Sequence, residues 1–430
     1  MVALKYFRIF ARIKGTRIQI QVDKASETRE QDFQPRQLTT SSPIKLKNLK
    51  TQTIFKKTKL LISILSVLCL SFLLSCNKNE EKTLPQRTVL IYMAGDNSLS
   101  SFVEYNMKMI EEGCKNADLE NGNIIAYIDE RGATPGLYQF RKDKNGIVSR
   151  NLIKEYEEEN SASPENLRSV ITTVKEQFPS ESMGIVLWSH GTAWLPSNLD
   201  SYLRSFGQDG NNYMELDDLS YVLNDFHFDF ILFDACYMAS IEVVYALRNC
   251  TDYIIGSATE ILADGFPYNE ITPMLLNADV TGIADSFYNH YDQMSGVSRS
   301  ASVSVVKTSE LDNLADACRN ILSRQTEESL YNIDLYQVQA LEYLTWNNHK
   351  LYDMEDYLSQ IASNEEYTNL KTAMDKAIIY KAYTPENYFA QCGSIAIDKF
   401  SGLSIYAYQK NYPKLNDWYD QLEWATYVSK

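Results

Sequence analysis

The middle of the chain alternates between short apolar runs and amphipathic stretches. Uninterrupted apolar runs of this length are typical of strands that are buried on both faces. They predict strands at 87–94, 123–129, 183–189, 228–233 and 253–258, and the spacing between them predicts helices at 99–114, 164–178, 215–226 and 238–248. Strands that alternate with helices form βαβ units, so we expect a mostly parallel sheet with helices on both faces.

Other regions have different patterns. The Asn145-Gly146 turn inside 136–153 predicts a β-hairpin, and Asn97 or Ser98 is a candidate N-cap for the first helix. The C-terminal third predicts helices at 280–294, 309–326, 352–362 and 366–379, and strands at 301–307, 394–397 and 403–406. We therefore expect a mixed α/β extension after the parallel sheet.

Two reactive side chains follow neighbouring predicted strands. His190, with Gly191 after it, follows the run 183–189, and Cys236 follows the run 228–233, 46 residues later. Ligands of open α/β sheets bind just beyond the carboxyl ends of the strands. A cysteine after an apolar strand is more often a small core residue, and a single histidine is usually structural. Their shared setting at successive strand ends nevertheless predicts a thiol–imidazole pair.

Cys236 and His190 together supply what a thiol needs to attack a peptide carbonyl, namely thiolate character and a proton donor for the leaving amine. A helix that begins at residue 238 would lower the pKa of the Cys236 thiol. His190 can act as general acid and base, and the N–H groups of Gly191 and Cys236 are candidate oxyanion-hole donors. The other histidines, His227, His290 and His349, follow no apolar strand and are interpreted as structural.

The segment before the first strand has the features of an export signal. Lysines at 56, 57 and 59 precede an apolar run at 60–74, which is too short to span a bilayer comfortably. The run ends in Leu-Leu-Ser-Cys, which resembles the lipobox of bacterial lipoproteins, so Cys76 is the predicted lipidation site. A buried helix is the alternative interpretation.

These features predict how the chain is divided. We expect an extension at 1–55, a lipoprotein signal peptide and lipobox at 56–76, a tether at 77–86, a catalytic domain at 87–410 and a tail at 411–430. The extension has no assigned role and is compatible with an over-extended start site. The mature protein would be exported and held on a bacterial membrane by its N-terminal lipid, in the periplasm or at the cell surface.

Charge is divided unequally along the chain. Residues 1–59 carry 14 Lys and Arg against 4 Asp and Glu, whereas residues 60–430 carry 27 against 52. The acidic body disfavours nucleic acid as a partner. It suits cationic peptides, although solubility alone explains it equally well. Apart from Cys69 and Cys76, the cysteines are scattered without a C-x-x-C motif, so neither a disulfide framework nor a zinc site is expected.

The motifs at the two strand ends resemble the clostripain family of cysteine peptidases (peptidase family C11). The match includes His190-Gly191 and Asp234-Ala235-Cys236, and it extends to the runs at 91–97 and 402–406. The resemblance implies a caspase-like fold, a three-layer αβα sandwich with a mostly parallel central sheet. It also implies a cysteine endopeptidase that acts on peptides or proteins through Cys236 and His190 and requires no cofactor.

The resemblance further implies cleavage after Arg or Lys. A buried basic side chain needs a carboxylate partner in its pocket. Asp234 is the first candidate, Asp264 the second and Glu260 the third. The other interpretation of Asp234 is a residue that forms the turn at the strand end.

Two regulatory features are also implied by the resemblance. Clostripain-like peptidases are often activated by self-cleavage between the histidine and the cysteine, and Arg204 is the only basic residue in that interval. The Arg204-Ser205 bond is therefore a candidate site, although an ordinary loop arginine is an equally good interpretation. Some relatives use calcium, for which Asp209, Asp217 and Asp218 are candidate ligands, without the spacing of an EF-hand.

Two other functions stay open at this point. The same fold could cleave after small or acidic residues. A peptidase-like protein could also act mainly in binding, although the intact Cys236–His190 pair argues against this.

Overall fold

The structure, a computed structural model, describes residues 84–197 and 205–429. Its strands are β1 (Arg87–Gly95), β2 (Gly122–Glu130), β3 (Gly136–Lys142), β4 (Val148–Glu155), β5 (Ser182–Trp188), β6 (Phe206–Asp209), β7 (Asn212–Met214), β8 (Phe228–Asp234), β9 (Thr251–Gly256), β10 (Ser302–Lys307), β11 (Leu351–Asp353), β12 (Ile378–Tyr383), β13 (Glu386–Phe389), β14 (Gly393–Ala396) and β15 (Ser404–Tyr406). The predicted extension, signal peptide and lipobox with Cys76 lie outside the described residues, as does Arg204.

The helices pack around these strands. They are α1 (Ser100–Cys114), α2 (Pro164–Gln177), α3 (Leu216–Leu223), α4 (Ile241–Ala246), α5 (Tyr268–Asn277), α6 (Val280–Asp292), α7 (Leu311–Leu322), α8 (Glu327–Tyr331), α9 (Met354–Ser359), α10 (Asn364–Ala377), α11 (Pro413–Tyr419) and α12 (Glu423–Val428). None of these described helices is both long enough and apolar enough to cross a bilayer.

A nine-stranded mixed sheet forms the centre of the described chain, in the order β12-β10-β9-β8-β5-β1-β2-β3-β4. The central strands β9, β8, β5, β1 and β2 pair in parallel. The flanking strands β10 and β12 on one side, and β3 and β4 on the other, pair antiparallel. The predicted parallel sheet is therefore confirmed, with antiparallel strands added at both edges.

Both faces of the sheet are buried. In β1, Ile91 and Met93 pack into one apolar cluster with α1, α5 and α6, whereas Tyr92 and Ala94 pack into another with α2, α3, α4 and α7. Because side chains alternate across a strand, the two clusters lie on opposite faces of the sheet. This arrangement confirms the expected αβα sandwich.

The pairing of β5 with β8 aligns the two predicted catalytic residues. Gly184 lies opposite Phe230 and Trp188 lies opposite Asp234, a register offset of 46 residues. His190 and Cys236 each lie two residues beyond the last of these pairs. Their separation in sequence therefore equals the register offset of two adjacent parallel strands, and both residues emerge at the same edge of the sheet.

Some local boundaries differ from the predictions. The helix after Cys236 begins at Ile241 rather than at 238, because Ser240 caps it by accepting a hydrogen bond from the Val243 N–H. Residues 411–429, expected as a tail, contain α11 and α12, and their Tyr419 and Trp424 side chains are buried in the core. The packed unit therefore continues past residue 410 to the end of the described chain.

Candidate active site

A cavity of about 440 Å³ opens where the central parallel strands end. Its wall is formed by Ser98 and Leu99 in the loop after β1, by residues 188–192 at the end of β5, and by residues 234–237 at the end of β8. Residues 260–263 and Gly265, after β9, also line it, and Leu344, Tyr388, Ala390 and Gln391 close one side. The cavity thus lies where an open α/β sheet places its ligands.

The loop that carries His190 is held by a buried network centred on Asn97. The Asn97 amide donates hydrogen bonds to the carbonyls of Ala94, at 2.9 Å, and Gln208, at 2.8 Å. Ser189 Oγ donates to the Ala94 carbonyl at 2.7 Å and accepts from the Gln208 N–H at 3.1 Å. These bonds join the ends of β1, β5 and β6, so the backbone that presents His190 is fixed by three strands.

Ser98 contacts the imidazole directly. Its Oγ lies 2.8 Å from Nε2 of His190, and both side chains line the cavity. The cap role expected for Asn97 or Ser98 is only partly seen, since Asn97 Oδ1 accepts from the Leu99 N–H at 2.8 Å just before α1. Ser98 is therefore a site residue that the sequence analysis missed. The rule used for His190 would have found it, because Ser98 also follows a central parallel strand.

Gly191 lets the His190 loop touch the Cys236 loop. A Cβ at position 191 would lie 2.8 Å from the carbonyl oxygen of Cys236 and 3.0 Å from Sδ of Met238. Real Cβ atoms do not approach backbone oxygens so closely, so glycine is needed here. The predicted oxyanion-hole residues Gly191 and Cys236 thus lie side by side in the cavity wall.

The Cys236 thiol is held by the loop after β9. The Ile261 N–H donates to Sγ at 3.3 Å, and the thiol lies 3.7 Å from the Ile261 carbonyl oxygen. Burial, and then the nearby charge of Glu260, raises the pKa of the Cys236 thiol to about 12. The expected lowering of this pKa by a helix N-terminus is wrong for this conformation, because α4 begins only at Ile241.

The turn after Cys236 is strained. Tyr237 has a φ of 64°, in the left-handed region that non-glycine residues rarely adopt. Two contacts hold it there: the Tyr237 N–H donates to the Thr259 carbonyl at 3.0 Å, and the phenol donates to Glu260 Oε1 at 3.0 Å. Strain of this kind is common at functional turns, where surrounding contacts determine the backbone.

Asp234 lies buried in the cavity wall. Its Oδ2 accepts hydrogen bonds from the Tyr268 hydroxyl at 2.8 Å and from the Phe266 N–H at 3.2 Å. Gly265 packs on the same oxygen, since a Cβ there would lie 2.6 Å from it. Burial raises the pKa of Asp234 to about 6, although both hydrogen bonds oppose the increase. The carboxylate is thus ionised but poorly solvated at neutral pH, a setting that favours a cationic partner.

The other two predicted pocket carboxylates are placed differently. Glu260 lines the cavity, but its Oε1 accepts from Tyr237 at 3.0 Å and its Oε2 accepts from the Ala390 N–H at 2.8 Å. Asp264 is exposed, and its side chain is not part of the described cavity wall. Of the three, Asp234 best combines burial with access to the cavity.

Of the predicted cleavage site, Ser205 is described, and it borders the His190 loop. Ser205 is buried with a φ of 41°, its N–H donates to the Leu195 carbonyl at 3.3 Å, and its carbonyl accepts from the Thr192 N–H at 2.7 Å. The residue that follows Arg204 is therefore fixed close to His190.

The candidate calcium ligands lie on two elements, β6 and α3. Asp209 Oδ2 accepts from the N–H of Ser161 at 2.6 Å and from its hydroxyl at 3.2 Å, whereas Asp217 and Asp218 lie in the first turn of α3. Within residues 84–197 and 205–429, no group of three or more His, Cys, Asp or Glu side chains is arranged to hold a metal ion. A need for calcium stays a prediction.

The remaining histidines lie outside this cavity. His227 lies 3.3 Å from Asp252, and His290 lies 3.8 Å from Glu270. His349 lines a second cavity, described below.

Comparison with known proteins gives concordant results. The sequence model of the clostripain family (Peptidase C11) matches residues 91–430. The clostripain of Hathewaya histolytica is 25% identical over 234 residues, which are 45% of this chain and 42% of that protein. The chain thus matches less than half of that relative's length.

Two solved structures are similar over most of the chain. One is the X-ray structure of an inactive zymogen C11 protease from Parabacteroides distasonis, 46% identical, with a TM-score of 0.75, covering 81% of this chain and 99% of that one. Another is a secreted C11 cysteine protease from Bacteroides thetaiotaomicron in complex with an irreversible peptide inhibitor, 34% identical, with a TM-score of 0.72, covering 80% and 98%. The chain therefore belongs to the clostripain family of C11 cysteine peptidases.

Proposed function

We propose that the protein is a cysteine endopeptidase in which Cys236 is the nucleophile and His190 the general acid and base. The observation that carries this proposal is the register of β5 and β8, which brings both residues to the end of adjacent strands in one cavity. A peptide that enters this cavity meets a thiol, an imidazole and a backbone in close contact at Gly191.

The reaction follows from these groups. The Cys236 thiol passes its proton to His190, and the sulfur adds to the scissile carbonyl carbon. The N–H groups of Gly191 and Cys236 stabilise the oxyanion that forms. The C–N bond breaks as His190 gives the proton to the leaving amine, which leaves a thioester on Cys236. Water then adds as His190 takes its proton, and the acid product leaves as the proton returns to the sulfur.

The raised pKa of Cys236 implies that the resting thiol is protonated. The thiolate therefore forms only when a partner accepts the proton, and transfer to His190 is the step that activates the nucleophile. The Ile261 N–H, which already donates to Sγ, can stabilise negative charge on the sulfur. Transfer of the thiol proton to His190 would thus control the onset of chemistry.

We propose Arg or Lys as the residue before the scissile bond, with Asp234 at the base of its pocket. Burial makes ionisation of Asp234 unfavourable, and a cationic side chain would compensate its buried negative charge. The apolar neighbours Trp188 and Leu262, also in the wall, suit the methylene stem of such a side chain.

Three further features of the proposal come from the sequence. Self-cleavage near Arg204-Ser205 would open the His190 loop, and the zymogen state of the Parabacteroides relative supports a processing step. The lipobox ending in Cys76 supports anchoring on a membrane after export, and the secreted Bacteroides relative supports export. A need for calcium, with Asp209, Asp217 and Asp218 as candidate ligands, stays a prediction from the sequence.

The direct test compares the wild-type protein with Cys236→Ala on reporter peptides that end in Arg, Lys, Ala or Glu. We expect cleavage of the Arg and Lys reporters, and its loss in the variant. Cleavage that survives in Cys236→Ala contradicts the assigned nucleophile. Cleavage of only the Ala or Glu reporter contradicts the basic specificity, and binding of peptides without any cleavage favours a binding protein.

A further inference from the structure

We propose that a second cleft, beside the active-site cavity, binds a segment of the polypeptide substrate that lies several residues from the scissile bond. The proposal rests on the peptidase function proposed above. This cleft, here called the aromatic cleft, has a volume of about 710 Å³ and is lined by residues 333–340, by Tyr343 and residues 346–349, and by side chains that include Tyr352, Asp356 and Lys399.

The aromatic cleft and the active-site cavity share one partition. Tyr343 lines the cleft and the next residue, Leu344, lines the cavity. The Tyr343 ring packs on Phe389 at 4.7 Å between centroids, and the neighbours of Phe389, Tyr388 and Ala390, line the cavity. An extended chain that leaves the active site across this partition enters the aromatic cleft directly.

The rim of the cleft presents aromatic rings to solvent. Tyr336 is 98% exposed and Trp346 is 67% exposed, and both line the cleft. Large aromatic side chains supply contact area at a small cost in conformational entropy, and they dominate many recognition surfaces. Two such rings on different segments of one cleft indicate recognition of apolar or aromatic side chains of a ligand.

The floor of the cleft is fixed before any ligand arrives. Asp356 is buried, and it accepts hydrogen bonds from the Gln339 N–H at 2.8 Å and from Lys399 Nζ at 2.6 Å. The Gln409 amide donates to the His349 carbonyl at 2.6 Å. A preformed floor lowers the entropy that binding must overcome.

The charge of the lining favours a basic ligand. The positive charge of Lys399 is compensated by Asp356, with which it is paired. The carboxylates of Asp334 and Asp398 therefore give the described lining a net negative charge. Burial lowers the pKa of His349, so its ring adds no positive charge at neutral pH. The cleft therefore fits a polypeptide segment with basic and aromatic side chains, rather than an acidic one.

The test compares kcat/KM for a long and for a short substrate. The long substrate is reduced, carboxamidomethylated lysozyme, an unfolded basic polypeptide, and the short one is an Arg reporter that fills only the active-site cavity. In the double variant Tyr336→Ala/Trp346→Ala of the full chain, we expect the ratio of kcat/KM for long over short substrate to fall about tenfold. Tyr221→Ala is the control, since Tyr221 is 72% exposed but lines neither cavity, and it should keep the wild-type ratio.

A second variant separates charge from packing. Asp398→Lys leaves the rings in place, and we expect it to lower the same ratio at low salt and to have less effect at high salt. A ratio that stays at the wild-type value in both variants overturns the proposal. Binding of dextran, a neutral polysaccharide, provides a second check. If the double variant loses dextran binding while the kcat/KM ratio is unchanged, the cleft is a carbohydrate site and the proposal is overturned.

Failure of the peptidase proposal can be told apart from failure of this one. If the wild-type protein cleaves neither substrate, fluorescently labelled unfolded lysozyme is titrated with the Cys236→Ala protein and the anisotropy is followed. The double variant in that background should then raise the Kd about tenfold. An unchanged Kd contradicts the aromatic cleft as a polypeptide site.

Discussion

The active-site cavity and the aromatic cleft are neighbours, but the chain builds them in different ways. The cavity is formed by residues that directly follow β1, β5, β8 and β9, so the sheet register sets their positions. The cleft is formed mostly by residues 333–349, which contain one short 3₁₀ turn and an isolated bridge from Ala340 to Tyr352. Its floor is held by that single bridge and by side chains such as Asp356, and not by a continuous strand ladder.

This difference separates two tasks. Chemistry needs reacting groups held within a fraction of an ångström, which parallel strand ends provide through main-chain pairing. Recognition of a distant substrate segment tolerates looser positioning, which loops and exposed rings provide. We therefore expect substitutions in the cavity to affect all substrates strongly and substitutions in the cleft to affect long substrates moderately.

The largest effect is expected for Asp234→Asn. A neutral amide cannot compensate a buried cation, so kcat/KM for an Arg reporter should fall about 10²- to 10³-fold. The carboxylate is protonated below its pKa of about 6, so in the wild-type protein this kcat/KM should also fall as the pH drops through that value. The variant should lose that pH dependence.

Asp375→Asn is the matched control for Asp234→Asn, since Asp375 of α10 is exposed and lies outside the cavity wall. It should retain wild-type rates. Equal losses on Arg and Ala reporters in Asp234→Asn would instead identify Asp234 as a residue that only shapes the turn.

A large loss is also expected for Gly191→Ala. The new Cβ would meet the Cys236 carbonyl oxygen at 2.8 Å, so the two loops must separate and the oxyanion donors move. Loss of one such donor lowers kcat about 10²-fold. Steady-state kinetics on the Arg reporter measure it. Gly256→Ala is the control, because a Cβ there has its first contact at 3.4 Å, and comparable rates in the two variants would argue against a role of the Gly191 contact.

Ser98→Ala should have a moderate effect. Without the hydroxyl beside Nε2, the imidazole loses a partner that orients it, and we expect about tenfold lower kcat/KM on short and long substrates alike. The rate of Cys236 alkylation by iodoacetamide, followed against pH, reports on thiolate formation and should also decrease. Ser98→Thr keeps the hydroxyl and should restore both readouts. A lower kcat/KM with an unchanged alkylation profile would show that Ser98 acts on packing alone.

The last effect concerns stability and not catalysis, at the contact between α4 and β15. Glu242 is buried in α4 and accepts from the Tyr406 N–H of β15 at 2.8 Å, and burial raises its pKa to about 7. The folded state then holds a proton that the unfolded state releases near pH 4.5. The associated stability is therefore complete below that pH and is lost as the pH rises through 7.

Glu242→Gln keeps the acceptor oxygen and removes the titration. The free energy of unfolding is measured with urea at pH 5 and at pH 8. The difference between these two free energies should be smaller in the variant than in the wild type, by about 1–3 kcal/mol. Glu423→Gln, an exposed carboxylate of α12, serves as the control. An identical pH dependence in wild type and Glu242→Gln would contradict the raised pKa.

The sequence predicts best those features that depend on local pattern and on strand ends. The apolar runs locate the central strands, and the rule for ligands at strand ends leads to His190 and Cys236, whereas Asp234 was predicted from the family resemblance. Ser98 was missed because its loop was interpreted only as a helix start. The helix at Tyr268–Asn277 was missed as well; Pro273 inside it and Pro267 at its cap both obscure the helical pattern.

The aromatic cleft could not be predicted from the sequence. The loop that forms it has no hydrophobic period, and its shape depends on contacts between distant residues, such as Asp356 with Lys399. The tail expected at 411–430 illustrates the same limit, because only tertiary packing shows that Trp424 makes an edge-to-face contact with Tyr245, 5.3 Å away between ring centroids.

The ladder between β5 and β8 has a consequence for how the polypeptide can be divided. The five residue pairs that align His190 with Cys236 depend on interstrand hydrogen bonds and not on the length of the connection between the strands. Two separately produced fragments that meet at this ladder would therefore regain the same alignment by complementation.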